Sequence, residues 1–220
     1  MTVKNLKFIS FLTVFMVLAA SEGVFSMAKA KSTKAKSVNT EQLAAKSDEN
    51  VELAANLAEN LAPGLDPSNT LILTLKDGEV TIKLRPDLAP KTVARIKELV
   101  AKKFYDGLKF HRVIDGFMAQ TGDPKGNGTG GSGVNVPAEF TNASFARGTL
   151  GMARANDPNS GDSQFFICFA PAKFLEGKYT VFGEVVSGME FVDKIKRGAG
   201  SNGEVSNPDK IITMRMAASS

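Results

Sequence analysis

The chain has 220 residues but only one cysteine, Cys168, and one histidine, His111. A single cysteine excludes an intramolecular disulfide, which suits the cytosol and equally an exported protein that does without disulfides. One histidine and one cysteine cannot supply the three or four ligands of an ordinary zinc site. No carboxylate cluster and no metal-ligand spacing takes their place, and no cofactor is implied. A Cys–His dyad would have to use Cys168, which sits in Phe165-Phe166-Ile167-Cys168-Phe169. There it reads as a buried apolar residue. On a strand, 165, 167 and 169 would face one way and 164, 166 and 168 the other. Charge of one sign is scarce too. The net charge is +4, and residues 69–220 carry 20 Lys/Arg against 16 Asp/Glu with no basic patch. Nucleic acid is therefore not the expected partner.

One long hydrophobic run exists, the 13 residues Phe8 to Ala20. It is shorter than the ~20 apolar residues of a spanning helix. Lys4 and Lys7 precede it, small residues follow, and Ala28-Lys29-Ala30 is an A-x-A pattern, with Ala19-Ala20-Ser21 as a competitor. This is the order of a secretory signal, so residues 1–30 are read as a cleaved signal peptide rather than an uncleaved membrane anchor. No stable membrane span is expected after cleavage. The expected location is outside the cytoplasm, in the periplasm of a Gram-negative bacterium.

Residues 31–68 read as a flexible tether. Within it, 41–61 is rich in helix formers, and Leu53, Leu57 and Leu61 keep i, i+4 spacing. A surface helix and a partly helical linker both fit. Pro63-Gly64 and Asp66-Pro67 mark the boundary of a domain spanning 69–217. The runs Leu71–Leu75 and Val80–Leu84 flank Asp77-Gly78, which predicts a hairpin with a type I′ turn. Pro90 followed by Val93, Ile96 and Val100 predicts an amphipathic helix. Short apolar runs recur at 110–114, 117–121, 149–153, 163–169, 180–186 and 210–216, with a second helix over Met189–Lys196. The fold expected is mainly β, a closed or nearly closed antiparallel sheet capped by helices.

Gly126-Asn127-Gly128-Thr129-Gly130-Gly131 matches G-x-G-x-x-G, but no strand precedes it and no helix follows, so a dinucleotide site is rejected. A mobile loop rimming a site is the better reading. The stretch Phe110 to Gln120 draws more attention. It sets Arg112 among aromatics, just before Phe117, Met118 and Gln120. Pairing with Ser163–Phe166 would bring Gln164 and another phenylalanine alongside.

Phe110-His111-Arg112-Val113-Ile114-Asp115-Gly116-Phe117-Met118-Ala119-Gln120-Thr121-Gly122-Asp123 resembles the cyclophilin signature. Gly128–Gly131, Gly151–Ala153, Ser163–Ile167 and Phe174–Gly183 follow in the order and spacing of that family, across about 69–217. The resemblance implies a closed eight-stranded antiparallel β-barrel capped by two α-helices, and peptidyl-prolyl cis–trans isomerase activity on proline-containing polypeptides. Here the clients would be unfolded exported proteins. It implies Arg112 as the active arginine, supported by Gln120, and a proline pocket of Phe117, Met118, Phe166 and Leu175. His111 and Gln164 would line the groove, and Ala153 and Arg154 would form the edge along which the peptide lies. Phe174 and Tyr179 stand where many eukaryotic members have tryptophan and histidine. Losing the indole N–H removes a donor, which implies weak cyclosporin binding. A proline-peptide-binding chaperone or scaffold, using the groove without turnover, is the alternative from another functional class.

Overall fold

In the computed structural model, residues 63–218 are described. The signal segment at 1–30, the helix reading at 41–61 and the tether as far as residue 62 lie outside them. Thr70–Leu75 (β1) and Gly78–Leu84 (β2) form the expected hairpin, with Leu75 opposite Gly78. Its turn differs from the type I′ expectation. The two loop residues are Lys76 and Asp77, and neither has a positive φ. Glycine stands at 78 because a Cβ there would collide with the Phe191 ring.

The first helix, α1, spans Pro90–Ala101 and begins on proline, whose fixed φ suits the first helical position. It has no side-chain cap of its own, since its N-cap is Ala89. The cap comes from 47 residues downstream. Glu139 accepts hydrogen bonds from the Lys91 N–H at 2.9 Å, the Thr92 N–H at 2.8 Å and the Thr92 hydroxyl at 2.8 Å. A carboxylate at this end satisfies orphan amides and meets the positive pole of the helix. Val93, Ile96, Leu99 and Val100 are buried on its inner face.

Six more strands follow: Arg112–Ile114 (β3), Met118–Thr121 (β4), Thr149–Met152 (β5), Phe165–Cys168 (β6), Val181–Ser187 (β7) and Thr213–Met216 (β8). The second helix, α2, covers Met189–Val192, shorter than the expected Met189–Lys196. Tight turns take over, with Lys194 N–H donating to Phe191 and Ile195 N–H to Val192. All the pairings are antiparallel, in the order β3-β4-β6-β5-β7-β2-β1-β8. The sheet curls into a half-barrel around one apolar core that holds Leu71, Leu73, Ile82, Phe110, Phe165, Ile167 and Phe182. Edge strands β3 and β8 do not pair as strands. The segments leading into them meet at a Lys109–Lys210 bridge, and the Phe110 N–H donates to the Asp209 carbonyl at 2.9 Å. The outer edge of β3 is covered by residues 198–205, through Val113 N–H to Gly203 and Gly198 N–H to Val113.

Period-two alternation sorts these strands into two faces. Val113, Ala119, Phe165 and Ile167 enter the main core. Met118, Phe166 and Cys168 enter a second, smaller cluster on the other face, with Phe145, Leu175 and Val181. The site is built on that second face.

Replacing Glu139 with alanine strips α1 of the carboxylate cap seen among the described residues. The expected cost is about 1–2 kcal/mol, read as a lower urea midpoint with an unchanged slope. Glu139→Gln, which keeps one acceptor oxygen, is expected to lose less.

Candidate active site

Strands β3, β4 and β6 lie side by side. Arg112 is opposite Gln120, and Gln120 is opposite Phe166. The expected pairing with Ser163–Phe166 is made by β4, with Gln120 opposite Phe166, and β4 lies between the Arg112 strand and β6. Gln164 is nevertheless brought to the arginine through Gln120.

The link is a chain of hydrogen bonds. Arg112 Nη1 donates to Gln120 Oε1 at 3.1 Å, Gln120 Nε2 donates to Gln164 Oε1 at 2.9 Å, and Gln164 Nε2 donates to the carbonyls of Gly128 and Gly130 at 3.1 and 2.8 Å. On the other side Arg112 Nε donates to the Asn202 carbonyl at 3.0 Å. The guanidinium is thus held from two directions.

The glycine loop at the far end of this chain is itself tied down. Asp123 is buried, and its carboxylate accepts from the backbone N–H groups of Lys125, Asn127 and Gly128 at 2.7, 3.0 and 2.6 Å. Burial pushes the Asp123 pKa up, but these backbone donors outweigh it, and the carboxyl stays below the usual range. The loop does gather amides around an anion, and that anion is its own aspartate.

Beside Arg112 opens a cavity of about 320 Å³. Phe117, Met118, Phe166 and Leu175 supply its apolar wall, with Phe174 and Tyr179 completing it and Gln120, Ala153 and Arg154 on the polar side. Phe166 can form part of this wall because residue 151, opposite it on β5, is glycine. A Cβ at Gly151 would collide with the Phe166 ring. Phe174 is 62% exposed and packs on Phe117 with ring centroids 5.3 Å apart. A second cavity of about 390 Å³ shares Gln120, Ala153 and Arg154 with the first. Gly128–Gly131 and Gln164 rim it, and Asp162 lies on its wall. Arg95 of α1 donates to Ser132, which donates to Asp162.

Two residues stand apart. His111 was expected in the groove, but it is only 7% exposed and lines neither cavity. Its ring packs near Gly128, and neither ring nitrogen has a hydrogen-bond partner among the described residues. Cys168 is buried, and burial pushes its thiol pKa up to about 12. That thiol is no nucleophile near neutral pH, and the rejected dyad has no geometric basis. Among the described residues no group of three or more His, Cys, Asp or Glu is placed to hold a metal ion.

The sequence that builds this pocket and the sheet that carries it have known counterparts. Residues 70–216 match the family described as cyclophilin type peptidyl-prolyl cis-trans isomerase/CLD. The chain belongs to this family. A probable peptidyl-prolyl cis-trans isomerase of Brucella suis is 57% identical over 174 residues, covering 73% of this chain and 89% of that protein. Peptidyl-prolyl cis-trans isomerase B of Bacillus subtilis is 45% identical over 127 residues, covering 56% and 88%. Among solved structures, a Cryptosporidium parvum cyclophilin crystallised in the presence of the dipeptide Ala-Pro superposes with a TM-score of 0.62. It is 28% identical and covers 67% of this chain and 98% of its own.

Within this cyclophilin the sequence missed three contributors: the Asn202 carbonyl, Asp123 and Asp162. Asn202-Gly203 carries a turn signal, and Gly203 does have a positive φ of 69°. Nothing local says that the preceding carbonyl meets a guanidinium 90 residues away.

His111 gives a pH test. Burial holds its pKa below the ordinary value; the Asp123 carboxylate opposes this and the Arg112 guanidinium adds to it. The unfolded chain takes up the proton near pH about 6.5, while the folded protein takes it up only at lower pH. Between those points the unfolded state binds more protons, so stability falls as pH falls. Urea midpoints are expected to drop from pH 7.5 to pH 5.5, and His111→Gln to flatten that slope.

Proposed function

We propose that this cyclophilin-type isomerase rotates X–Pro peptide bonds by seating proline in the Phe117/Met118/Phe166/Leu175 pocket while Arg112 donates a hydrogen bond to the prolyl nitrogen. No bond is made or broken in this reaction. The obstacle is partial double-bond character, with a barrier of about 18–20 kcal/mol and uncatalysed exchange over roughly tens to hundreds of seconds. A rate of order 10²–10³ s⁻¹ requires lowering the barrier by about 6–7 kcal/mol. As the prolyl nitrogen pyramidalises it gains a lone pair, and a donor aimed at that lone pair weakens amide resonance. A charge-assisted bond contributes about 1.5–3 kcal/mol. Exclusion of water and a donor already in place supply the rest.

The observation that carries this reading is the fixed guanidinium beside an apolar pocket (Arg112 held by Gln120 and the Asn202 carbonyl). Gln120 acts on the arginine, Gln164 on Gln120, and His111 supports the glycine loop from behind. Ala153 and Arg154 form the edge beside the peptide. The Lys109–Lys210 seam is read as the point where the half-barrel closes.

Arg112→Ala is expected to lower kcat/KM for a proline peptide by roughly ten- to 150-fold while binding persists. Arg112→Lys keeps the charge but loses the planar fork, and should recover only part of the rate. Unchanged turnover in Arg112→Ala would sink the assignment. Tight peptide binding by the wild type without acceleration would mark a chaperone or scaffold instead.

Export is a separate part of the proposal. It rests on Lys4, Lys7, the Phe8–Ala20 run and Ala28-Lys29-Ala30. Residues 1–30 then direct the protein to the periplasm, where unfolded exported chains are its clients. Mass spectrometry of the mature protein is expected to find its N-terminus just after Ala30 or, failing that, near Ser21. An intact N-terminus on protein confined to the cytoplasm would rule this out.

A further inference from the structure

Seven arginines fall among the described residues: 85, 95, 112, 147, 154, 197 and 215. Five of them pair with carboxylates, namely Arg85 with Asp87, Arg95 with Glu98, Arg147 with Asp193, Arg197 with Asp115 and Arg215 with Asp106. The two that do not are Arg112 and Arg154, and both line the proline cavity. A chain that pairs its other described guanidiniums has left these two without an anion among the described residues. Arg112 has a task in the isomerisation. Arg154 has none yet.

Arg154 is also held in place. Its Nε and Nη2 each donate to the Lys178 carbonyl at 3.2 Å, and Nη1 donates to the Ala155 carbonyl at 2.9 Å. Its guanidinium carbon lies 4.7 Å from the centre of the Tyr179 ring and 5.8 Å from that of Phe140. These partners are neutral carbonyls and aromatic faces, so the positive charge is not cancelled. They also restrict the side chain before any ligand arrives, which lowers the entropy lost on binding. An arginine carries five N–H donors; Nη1 also donates to the Asn156 carbonyl at 3.4 Å, so the four bonds leave one N–H over, on Nη2. The residue lines both cavities at once, with Gln120 and Ala153. Among the described residues Asp162 is the one carboxylate lining either cavity, and its oxygens accept from the Ser132 hydroxyl and from the Gly133 N–H at 2.9 Å.

We propose that Arg154 is a specificity-determining residue that selects prolines flanked by an acidic side chain. This rests on the seating of proline in the first cavity proposed above, which is what places a flanking residue beside Arg154. An extended peptide advances about 3.3–3.6 Å per residue, so a carboxylate one or two residues from the proline reaches the partition between the cavities. Its partner is the fixed positive charge of Arg154, whose remaining Nη2 N–H can donate to one carboxylate oxygen. Lysine at the same position meets a fixed like charge.

The test uses the folded protein and a single-proline host peptide carrying Glu, Gln or Lys at each of the two positions on either side of the proline. NMR exchange gives catalysed cis–trans rates, and chemical-shift titration of the same samples gives Kd. At one position, kcat/KM for Glu is expected to exceed that for Lys by about tenfold at low salt and to approach parity at high salt. Arg154→Gln should bring the Glu:Lys ratio close to one, Arg154→Lys should keep most of it, and Lys102→Gln on α1 should leave it unchanged. The readout is a ratio within each protein, so any overall loss of activity in a variant cancels. Parity in the wild type at all positions, or a preference that survives Arg154→Gln, overturns the proposal. Preferential binding of the Glu peptide without accelerated exchange would refute the isomerase reading and leave this one standing.

Discussion

A guanidinium can only donate hydrogen bonds and a peptide carbonyl can only accept them. Between Arg112 at one end and the carbonyls of Gly128 and Gly130 at the other stand two glutamine amides. Gln120 must turn its oxygen to the arginine, and Gln164 must turn its nitrogen to the glycines. The middle bond then has only one direction open to it. Neither amide can flip without leaving a mismatched pair at one end. The position of the arginine therefore depends on a loop that never touches it, and the loop depends on Asp123, whose carboxylate collects its backbone amides. Such a chain is worth more for orientation than for stability, because each neutral bond contributes only about 0.5–1.5 kcal/mol.

The shortage of acid–base groups is consistent with this. Hydrolysis needs groups that exchange protons near neutral pH. Here the lone thiol is buried and its pKa raised, and the lone imidazole is set behind the wall. What remains is a fixed guanidinium beside a pocket of carbon. Those are the requirements of a rotation, in which charge shifts within one amide and no proton changes hands.

Much of the strand layout was legible because alternation and turn residues are local signals. Phe165 and Ile167 facing the core, with Phe166 and Cys168 facing away, follow from period two alone. The errors arose where a distant residue decides a local feature. The hairpin turn takes Lys76-Asp77 at negative φ, and Gly78 stands in the strand where Phe191 packs over it. The cap of α1 arrives from Glu139, outside any local capping pattern. Spacing along several motifs singled out Arg112, Phe117, Met118, Gln120, Phe166 and Leu175, which line one cavity, whereas His111 lies buried near Gly128 and lines neither. The Asn202 carbonyl was invisible since every residue has one.

The two faces of β3, β4 and β6 carry different duties on consecutive residues. Met118 and Gln120 build the site, while Ala119 between them is buried in the core. A slip of β4 by one residue would drive the Gln120 amide into the core and turn Ala119 outward. Misregistered molecules would therefore lose packing and function in the same step. A population of this protein should then divide into competent and unfolded molecules, with few that are folded and idle, and turnover per molecule becomes a measure of how faithfully the strands have found their partners.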